Sequence, residues 1–502
     1  MELKKLKTLA IFLFIGVSLP IMAQDSLSTH ITYDLTTEAS VGTGDFTAYQ
    51  LSTNRYHIMA TRPNTAYMRG AVNIEHSLGS DFLLTGGIDA VASVHADHKA
   101  YIQQCFANLQ WKEFFLEAGS REQKPVLRNS LLSVGHFAKG INAKPMPQVH
   151  IGTTDFWTVP YTKGWLQIHF DGGYGKLMDS NYREEAFKAA PDVNAGYATG
   201  IYFHQKHFYF RTNPNKRFFV TAGIEHMVQF GGTSYTKVNG ELVSKSKPLN
   251  LKTFLRVILP VGDSQYYEND AMEDWVYGNH LGSMTVQLGW NINKNHLVQV
   301  YVDDPFEDGS GMRKGNGWDG LWGVEYTNKT AGKQLIRSAV FEYFQSTNQS
   351  GPLHYDRGDY PEPIRSKITE LVTGNDEYYN HSYYINYAYY GMTPGIALIT
   401  SPIYNKDGYT AYRDNRIKAW HLGITGELTP RISYLIKGSY REGWGTYKVP
   451  SIQKQHSFDA MLQGNYQLGA WQFSGAYAFD KGNIYGDNST FNFKISYHGK
   501  IL

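Results

Sequence analysis

The chain has 502 residues, a formal net charge of +2 and a mean hydropathy of −0.40. Beyond the N-terminal region, no stretch approaches the roughly 18 consecutive apolar residues that a membrane-spanning helix requires, so any membrane span must consist of β-strands. The near-neutral charge gives no reason to expect nucleic acid as a partner, and the single cysteine excludes an internal disulfide. Aromatic residues make up 15% of the chain, which is typical of barrels with aromatic girdles.

The N-terminus has the order of a cleaved export signal. A lysine-rich start precedes an apolar stretch at residues 9–19, and Ala23 is a small residue at the expected cleavage position. An N-terminal membrane anchor is the alternative, but Pro20 and the polar residues after Ala23 argue against it. We therefore expect residues 1–23 to be a signal peptide and residues 24–502 to form the mature barrel domain.

Strand-like alternation covers much of the first two thirds of the mature chain. Apolar side chains at every second position lie on one face of a strand, as expected for Met284, Val286 and Leu288. The predicted strands lie near 66–76, 82–94, 101–110, 113–119, 164–175, 197–204, 207–212, 217–229, 284–290 and 297–302. Helical patterns are few and short, at 181–190 and 271–276.

The region between residues 345 and 416 interrupts the alternation. Residues 347–380 are polar and rich in aromatic side chains, and we expect them to form one long loop. A strand is predicted at 381–390, but an even strand count then requires a further strand near 394–400. Because barrel strands pair around a closed ring, the sequence leaves the pairing of this region open.

The C-terminal quarter predicts five strands joined by alternately short and long connections. The strands cover 417–428, 432–440, 457–468, 471–479 and 491–498, the tight turns 429–431 and 469–470, and the long loops 441–456 and 480–490. Outer-membrane barrels have short periplasmic turns, longer outer loops and periplasmic termini. If the last strand ends in the periplasm, both tight turns lie inside and both long loops outside.

Soluble architectures and enzymatic motifs fit the sequence poorly. A β-propeller should repeat every ~40–50 residues, and a secreted β-sandwich protein of this length should contain linkers. The segment containing His95, Asp97 and His98 brings at most two ligands to one strand face, too few for structural zinc. The acidic residues between 303 and 308 do not match an EF-hand loop, and we interpret them as solvated charge at the barrel mouth. We predict no enzymatic activity, no cofactor and no metal.

Several runs carry a resemblance to a known family. They lie at 128–135, 140–149, 278–282, 307–312, 317–323 and 374–380. Residues 142–147, Asn-Ala-Lys-Pro-Met-Pro, resemble the Asn-Ala-basic-Pro-apolar-Pro signature of the Wzi-type capsule assembly proteins. The resemblance implies an all-β, large transmembrane antiparallel β-barrel of about 18 strands with a few short periplasmic helices. It also implies binding of capsular polysaccharide, without catalytic residues. The chain departs from the pattern at Leu502, where an aromatic terminus is usual, and in its short helices.

A glycan site requires flat aromatic faces flanked by carboxylates, amides and arginine. Loop 347–380 offers Tyr355, Asp356, Arg357, Tyr360, Tyr378 and Tyr379, and loop 441–456 offers Trp444 and Tyr447. Trp318 and Asp319 mark an alternative site inside the lumen. For each aromatic residue the competing interpretation is a place in a girdle or in loop packing.

The sequence thus predicts an outer-membrane protein that binds exported capsular polysaccharide and helps to assemble or anchor the capsule. Its expected partners are capsular or other surface polysaccharide, outer-membrane lipid and lipopolysaccharide, and we expect a monomer. The alternative is a general or substrate-selective porin, which shares the barrel but not the binding.

Overall fold

The computed structural model describes residues 28–96, 98–259, 277–307, 309–312, 314–349, 354–355, 371–372 and 377–502. The predicted signal peptide and the predicted helix at 271–276 lie outside the described residues. Among the described residues, no helix has the length and apolarity needed to cross a membrane.

One large antiparallel sheet closes on itself. Its segments are β1 (Thr29–Thr43), β2 (Ala66–Leu78), β3 (Phe82–Val94), β4 (Ala100–Trp111), β5 (Phe114–Ser120), β6 (Gln148–Thr153), β7 (Trp157–Thr158), β8 (Leu166–Lys176), β10 (Tyr202–Thr212), β11 (Phe218–Phe230), β14 (Asn279–Asn291), β15 (His296–Phe306), β16 (Gly320–Asn328), β17 (Ser338–Gln345), β22 (Ile417–Thr429), β23 (Ile432–Gly445), β24 (Pro450–Leu468), β25 (Trp471–Gly482) and β26 (Asn488–Lys500). Segments β6 and β7 follow each other and both pair with β8, so they form one strand. Pairing of β1 with β26 closes the ring, which confirms the predicted antiparallel barrel of 18 strands.

Smaller elements occupy the connections. The short strands are β9 (Gly196–Thr199), β12 (Thr233–Val238), β13 (Glu241–Ser246), β18 (His354–Tyr355), β19 (Leu371–Val372), β20 (Asn380–His381) and β21 (Ile385–Asn386). The α-helices are α1 (Tyr49–Ser52), α2 (Ser180–Ala189), α3 (Leu251–Arg256) and α4 (Gly309–Met312), and a 3-10 helix covers Pro402–Tyr404. Helix α2 confirms the helical pattern predicted at 181–190.

The wall alternates between an apolar outer face and a polar inner face. In β26, Phe491 and Phe493 are exposed on the outside, while Thr490 and Asn492 are buried on the lumen side. Aromatic side chains form two belts on the outer face. Facing partners on four neighbouring strands make the first belt, from Trp322 through Tyr343 and Trp420 to Tyr440. The second includes Phe82, Trp111, Phe114, Phe218, Trp290 and Trp471. Two such belts are typical of a membrane-spanning barrel.

The two ends of the barrel differ in the length of their connections. At the turn end lie the first and last described residues, Ser28 and Leu502, and the connections 79–81, 112–113, 159–165, 213–217, 292–295, 329–337, 430–431 and 469–470. At the loop end lie 44–65, 95–99, 121–147, 177–201, 231–278, 307–319, 346–416, 446–449 and 483–487. The tight turns predicted before β23 and β25 are confirmed. The long loops predicted at 441–456 and 480–490 are wrong, because the flanking strands continue and leave only 446–449 and 483–487.

The helices lie at the loop end. Each of α1 to α4 belongs to one of the long connections, on the opposite side of the barrel from the termini. The family resemblance implies helices on the periplasmic side, where the termini of such barrels lie. In this structure the helices lie at the opposite end from the one that the resemblance implies, because the connections at the turn end are too short to contain them.

Three loop-end connections fold into the lumen and form a plug, which comprises residues 44–65, 121–147 and the described part of the third connection at 377–416. Its tyrosine and apolar side chains share one core cluster with inward-facing residues of the wall such as Phe203, Tyr301 and Phe344. The predicted barrel strands at 381–390 and 394–400 are wrong. In 394–400 every residue except Thr400 is buried, and 381–390 contributes only to the short strands β20 and β21, which pair with each other and not with the wall.

Candidate functional site

The plug is bonded to acidic side chains on one side of the lumen. Arg128 donates to Asp303 of β15 at 2.5 Å, and both side chains are fully buried. The Ser133 hydroxyl donates to Glu342 of β17 at 2.6 Å, and the Val134 N–H donates to the same carboxylate at 2.9 Å. The interpretation of the acidic group at 303–308 as solvated charge is therefore wrong for Asp303, which fastens the plug to the wall.

A second attachment lies on strands β23 and β24, a few strands further around the wall. The guanidinium of Arg441 lies 3.9 Å from the ring centre of Tyr49 and 4.4 Å from that of Tyr485, and it pairs with Asp459 of β24. The side-chain amide of Gln50 donates to Asp459 at 2.5 Å. The buried ion pair between Arg128 and Asp303 joins the plug to the wall, and removal of one partner from such a pair is strongly destabilising.

Tyr378 and Tyr379, predicted to stack on sugar, are core residues of the plug. Both are 0% exposed, and the Tyr379 ring packs 5.0 Å from Phe137 and 5.8 Å from Tyr387. The Tyr379 hydroxyl donates to the carbonyl oxygen of Phe137 at 2.5 Å. The prediction that these two rings present exposed faces on an outer loop is therefore wrong, because neighbouring aromatic residues cover them.

Trp318 and Asp319, predicted as a lumenal alternative, point to different places. Trp318 is 70% exposed and its ring lies 5.4 Å from Trp322, which faces the outside of the barrel. Asp319 is buried and accepts backbone N–H bonds from Asn348 at 3.0 Å and from Gln349 at 2.7 Å. Trp318 thus extends the first aromatic belt, which contains Trp322. Asp319 fixes the start of the 346–416 connection, so the two residues do not form one lumenal site.

Trp444 and Tyr447 lie on a hairpin at the loop end. Trp444 belongs to β23 and shares its outward face with Tyr440, while Lys418 lies 6.0 Å from its ring centre. Tyr447 is on the turn 446–449, with the guanidinium of Arg416 4.5 Å from its ring centre. Both rings are half-buried.

The remaining predicted residues lie largely beyond the described part of the chain. Asp356, Arg357 and Tyr360 lie outside the described residues. Tyr355 is in strand β18, where it is the register partner of Leu371. Their part in a glycan site stays a prediction.

A cleft of about 270 Å³ opens among the loop-end connections, and sequence reasoning did not identify it. Its walls come from α2, from the segment 385–410 and from the β1–β2 connection. Four aromatic residues line it: Phe46, Tyr182, Tyr197 and Tyr409. We refer to this space as the loop-end cleft.

Hydrogen bonds hold the cleft in shape. Asn194 accepts from the backbone N–H of Thr410 at 2.8 Å, and the Asn405 side chain donates to the carbonyl oxygen of Tyr409 at 2.7 Å. Asp179, which precedes α2, accepts the backbone N–H of Tyr390 at 3.2 Å, and this bond fixes α2 against the plug. Each wall is therefore tied to another part of the loop end, and the aromatic rings are held in place before any ligand arrives.

Charged side chains surround the aromatic lining of the cleft. Lys406 pairs with Asp45 at 2.5 Å beside the Phe46 ring, and Arg413 lies 4.5 Å from the ring centre of Tyr409. Aromatic faces bind the C–H surface of a pyranose, and flanking charged groups bond its hydroxyls. The sequence contains the helix that carries Tyr182, but it gives no signal that this helix meets residues 46 and 409.

Two buried carboxyl groups lie at the loop end of the barrel wall, which we call the rim, and they make its stability depend on pH. Burial raises the pKa of Asp319 and that of Asp414 to about 6, from an ordinary value of 3.8. Asp414 accepts the N–H of Gly445 at 2.8 Å through Oδ1, while Oδ2 is buried without a hydrogen-bond partner among the described residues. The two carboxyl groups bind more protons in the folded rim than in the unfolded one. Their contribution to the stability of the rim is therefore fully present below pH 3.8 and is lost as the pH rises through 6.

We therefore expect Asp414→Asn to stabilise the rim at neutral pH. In hydrogen exchange corrected for the intrinsic pH effect, the amides at 414–416 and 445 should exchange faster in the wild type at pH 7.5 than at pH 5. Asp414→Asn should slow this exchange at pH 7.5 by about tenfold or more, as removal of an unfavourable charge with a pKa shift of this size predicts. Exchange that is equal in the two proteins at pH 7.5 would contradict this assignment.

Comparison with known proteins places the fold in the outer membrane. No family model and no curated protein matches this sequence. Among solved structures, the chain is similar to Wzi, an outer-membrane protein involved in group 1 capsule assembly in Escherichia coli and described as a carbohydrate-binding β-barrel. The TM-score is 0.57 at 10% identity, with 92% of this chain and 83% of that chain covered.

Porin-type barrels of Pseudomonas aeruginosa are also similar. OccK5 (OpdH) has a TM-score of 0.47 at 10% identity, covering 94% of this chain and 98% of that one. OprD has a TM-score of 0.44 at 7% identity, covering 94% and 96%. The TM-score of 0.57 at 10% identity shows a common fold with Wzi and not a common ligand. The chain is an 18-stranded β-barrel of the outer membrane; in such barrels the end with short turns faces the periplasm and the end with long loops faces the cell surface.

Proposed function

We propose that this protein is a non-enzymatic surface receptor that binds capsular or other exported polysaccharide and helps to hold it at the outer membrane. The observation that carries the proposal is the loop-end cleft, whose aromatic residues are already held in place at the surface end of the barrel. Preformed aromatic surfaces with a charged rim favour binding, because little conformational entropy is lost when a sugar arrives.

The filled lumen supports the same proposal over the porin alternative. The plug is attached to the wall by the buried pair Arg128–Asp303 and by the contacts of Tyr49 and Gln50 with Arg441 and Asp459, and it occupies the space through which a porin conducts. The similarity of the fold to a carbohydrate-binding barrel agrees with the proposal but does not carry it, since the identity is 10%.

Two measurements test the proposed function. Purified protein applied to an array of capsular and exopolysaccharide fragments should bind a defined subset of glycans, and a deletion strain should lose capsule staining at the cell surface. In planar bilayers, the wild type should show no steady conductance. Absence of binding to every glycan, together with stable open channels, would favour the porin alternative.

A further inference from the structure

Four polar side chains occupy lipid-side positions of the wall near the loop end. His204 and Lys206 of β10 lie on the same face as Phe208 and Phe210, which are exposed to the outside. On the neighbouring strands, His226 and His280 also point outward and contact each other at 3.0 Å. Cationic or imidazole side chains on the lipid face of a barrel are costly, so these positions require a cover.

The cover is the segment 248–259, which contains α3 and which we call the α3 segment. The ring of Phe254 packs 5.2 Å from Tyr174 and 5.1 Å from Phe230, both on the outer face of the wall. The Tyr174 hydroxyl donates to the Phe254 carbonyl oxygen at 2.6 Å, and Lys206 donates to the carbonyl oxygen of Ile258. The α3 segment therefore lies against the outside of the barrel, not in the lumen.

The opposite face of the α3 segment is apolar and exposed. Leu251, Leu255 and Leu259 are 76%, 59% and 65% exposed; Leu251 and Leu255 lie one turn apart on the same face of α3, and Leu259 lies in the turn that follows the helix. Lys252 and Arg256 flank this leucine stripe. Between residues 231 and 259 there are five basic residues and one acidic residue, Glu241, and the rest of the 231–278 connection adds five acidic residues. A helix with leucines on one face and basic residues beside them is typical of an element that lies in a membrane interface.

We propose that the α3 segment is an interfacial anchor that inserts its leucine stripe into the outer leaflet and places Lys252 and Arg256 beside anionic lipid headgroups. The exposed lipid-facing side chains Phe208 and Val220 lie on β10 and β11, nearer to the turn end than the α3 segment. The leucine stripe therefore adjoins the lipid-facing surface of the barrel. The α3 segment itself has two basic residues, Lys252 and Arg256, and no acidic residue, and this charge complements phosphate-bearing lipids. This proposal does not depend on glycan binding.

The test uses a fluorescent label at the centre of the stripe. Leu255→Cys in a Cys105→Ala background is labelled with nitrobenzoxadiazole, and the whole protein is reconstituted in phosphatidylcholine vesicles with or without phosphatidylglycerol. Nitroxide-labelled lipid should quench the label at 255 severalfold more strongly than a label at Glu241→Cys, which is exposed on the β12–β13 hairpin. Quenching should be stronger when phosphatidylglycerol is present.

Charge variants test the headgroup contact. Lys252→Gln combined with Arg256→Gln should remove the effect of phosphatidylglycerol while the label stays in the interface. Equal quenching of the parent protein in both vesicle types would overturn the role of anionic lipid. A water-like, unquenched label at 255 would overturn the anchor. Energy transfer between labelled copies without lipid quenching would also overturn it, by assigning the stripe to a second copy of the chain.

Discussion

Replacing Tyr409 with alanine should weaken polysaccharide binding without unfolding the barrel. The ring lines the loop-end cleft and is half-buried beneath the guanidinium of Arg413. Loss of a stacking aromatic at the centre of a binding site costs about 1–3 kcal/mol, which corresponds to about 5- to 150-fold in Kd. Binding of the best glycan from the array, measured by calorimetry or surface plasmon resonance, gives the comparison.

Tyr447 offers a matched control for Tyr409. It is also half-buried at the loop end, and its ring centre is likewise 4.5 Å from an arginine guanidinium, but it does not line the cleft. Tyr447→Ala should bind glycan as the wild type does. Trp471→Ala, in the second aromatic belt near the turn end, should do so too. If Tyr447→Ala loses affinity and Tyr409→Ala does not, the site lies on the 446–449 hairpin, as the sequence predicts, and the cleft assignment is wrong.

Replacing Arg128 with methionine should loosen the plug and open the lumen to ions. The change leaves Asp303 buried without its cationic partner and removes the contact of the guanidinium with Tyr301, 3.9 Å away. Breaking a buried pair from one side costs about 3–5 kcal/mol. Planar bilayers should record channel openings that the wild type lacks, and residues 121–147 should become sensitive to protease.

A second substitution makes the plug experiment specific. Adding Asp303→Asn to Arg128→Met removes the uncompensated charge, so the double variant should conduct less than the single variant. Circular dichroism should show that both variants keep the barrel. A folded Arg128→Met protein that conducts no more than the wild type would show that this pair does not hold the plug.

Much of the wall could be predicted because it obeys a local rule. The alternation around Phe491 and Trp471 places apolar side chains in lipid and polar ones in the lumen, and each strand expresses this pattern within a few residues. The strand count came from the family resemblance. The same rule failed at 381–390, where tyrosine-rich sequence resembles a strand but most of the tyrosine side chains lie in the core of the plug.

The sequence by itself determined the barrel class, the tight turns at one end and the absence of helical membrane spans, since these depend on neighbouring residues. Only the tertiary structure decided which aromatic residues are available to a ligand. Tyr378 and Tyr379 are covered by Phe137 and Tyr387, while Phe46, Tyr182 and Tyr409 meet around one cleft. The physical reason is that an aromatic side chain has the same composition in a core, a belt or a binding site. Its role is set by contacts with residues that are distant in the chain.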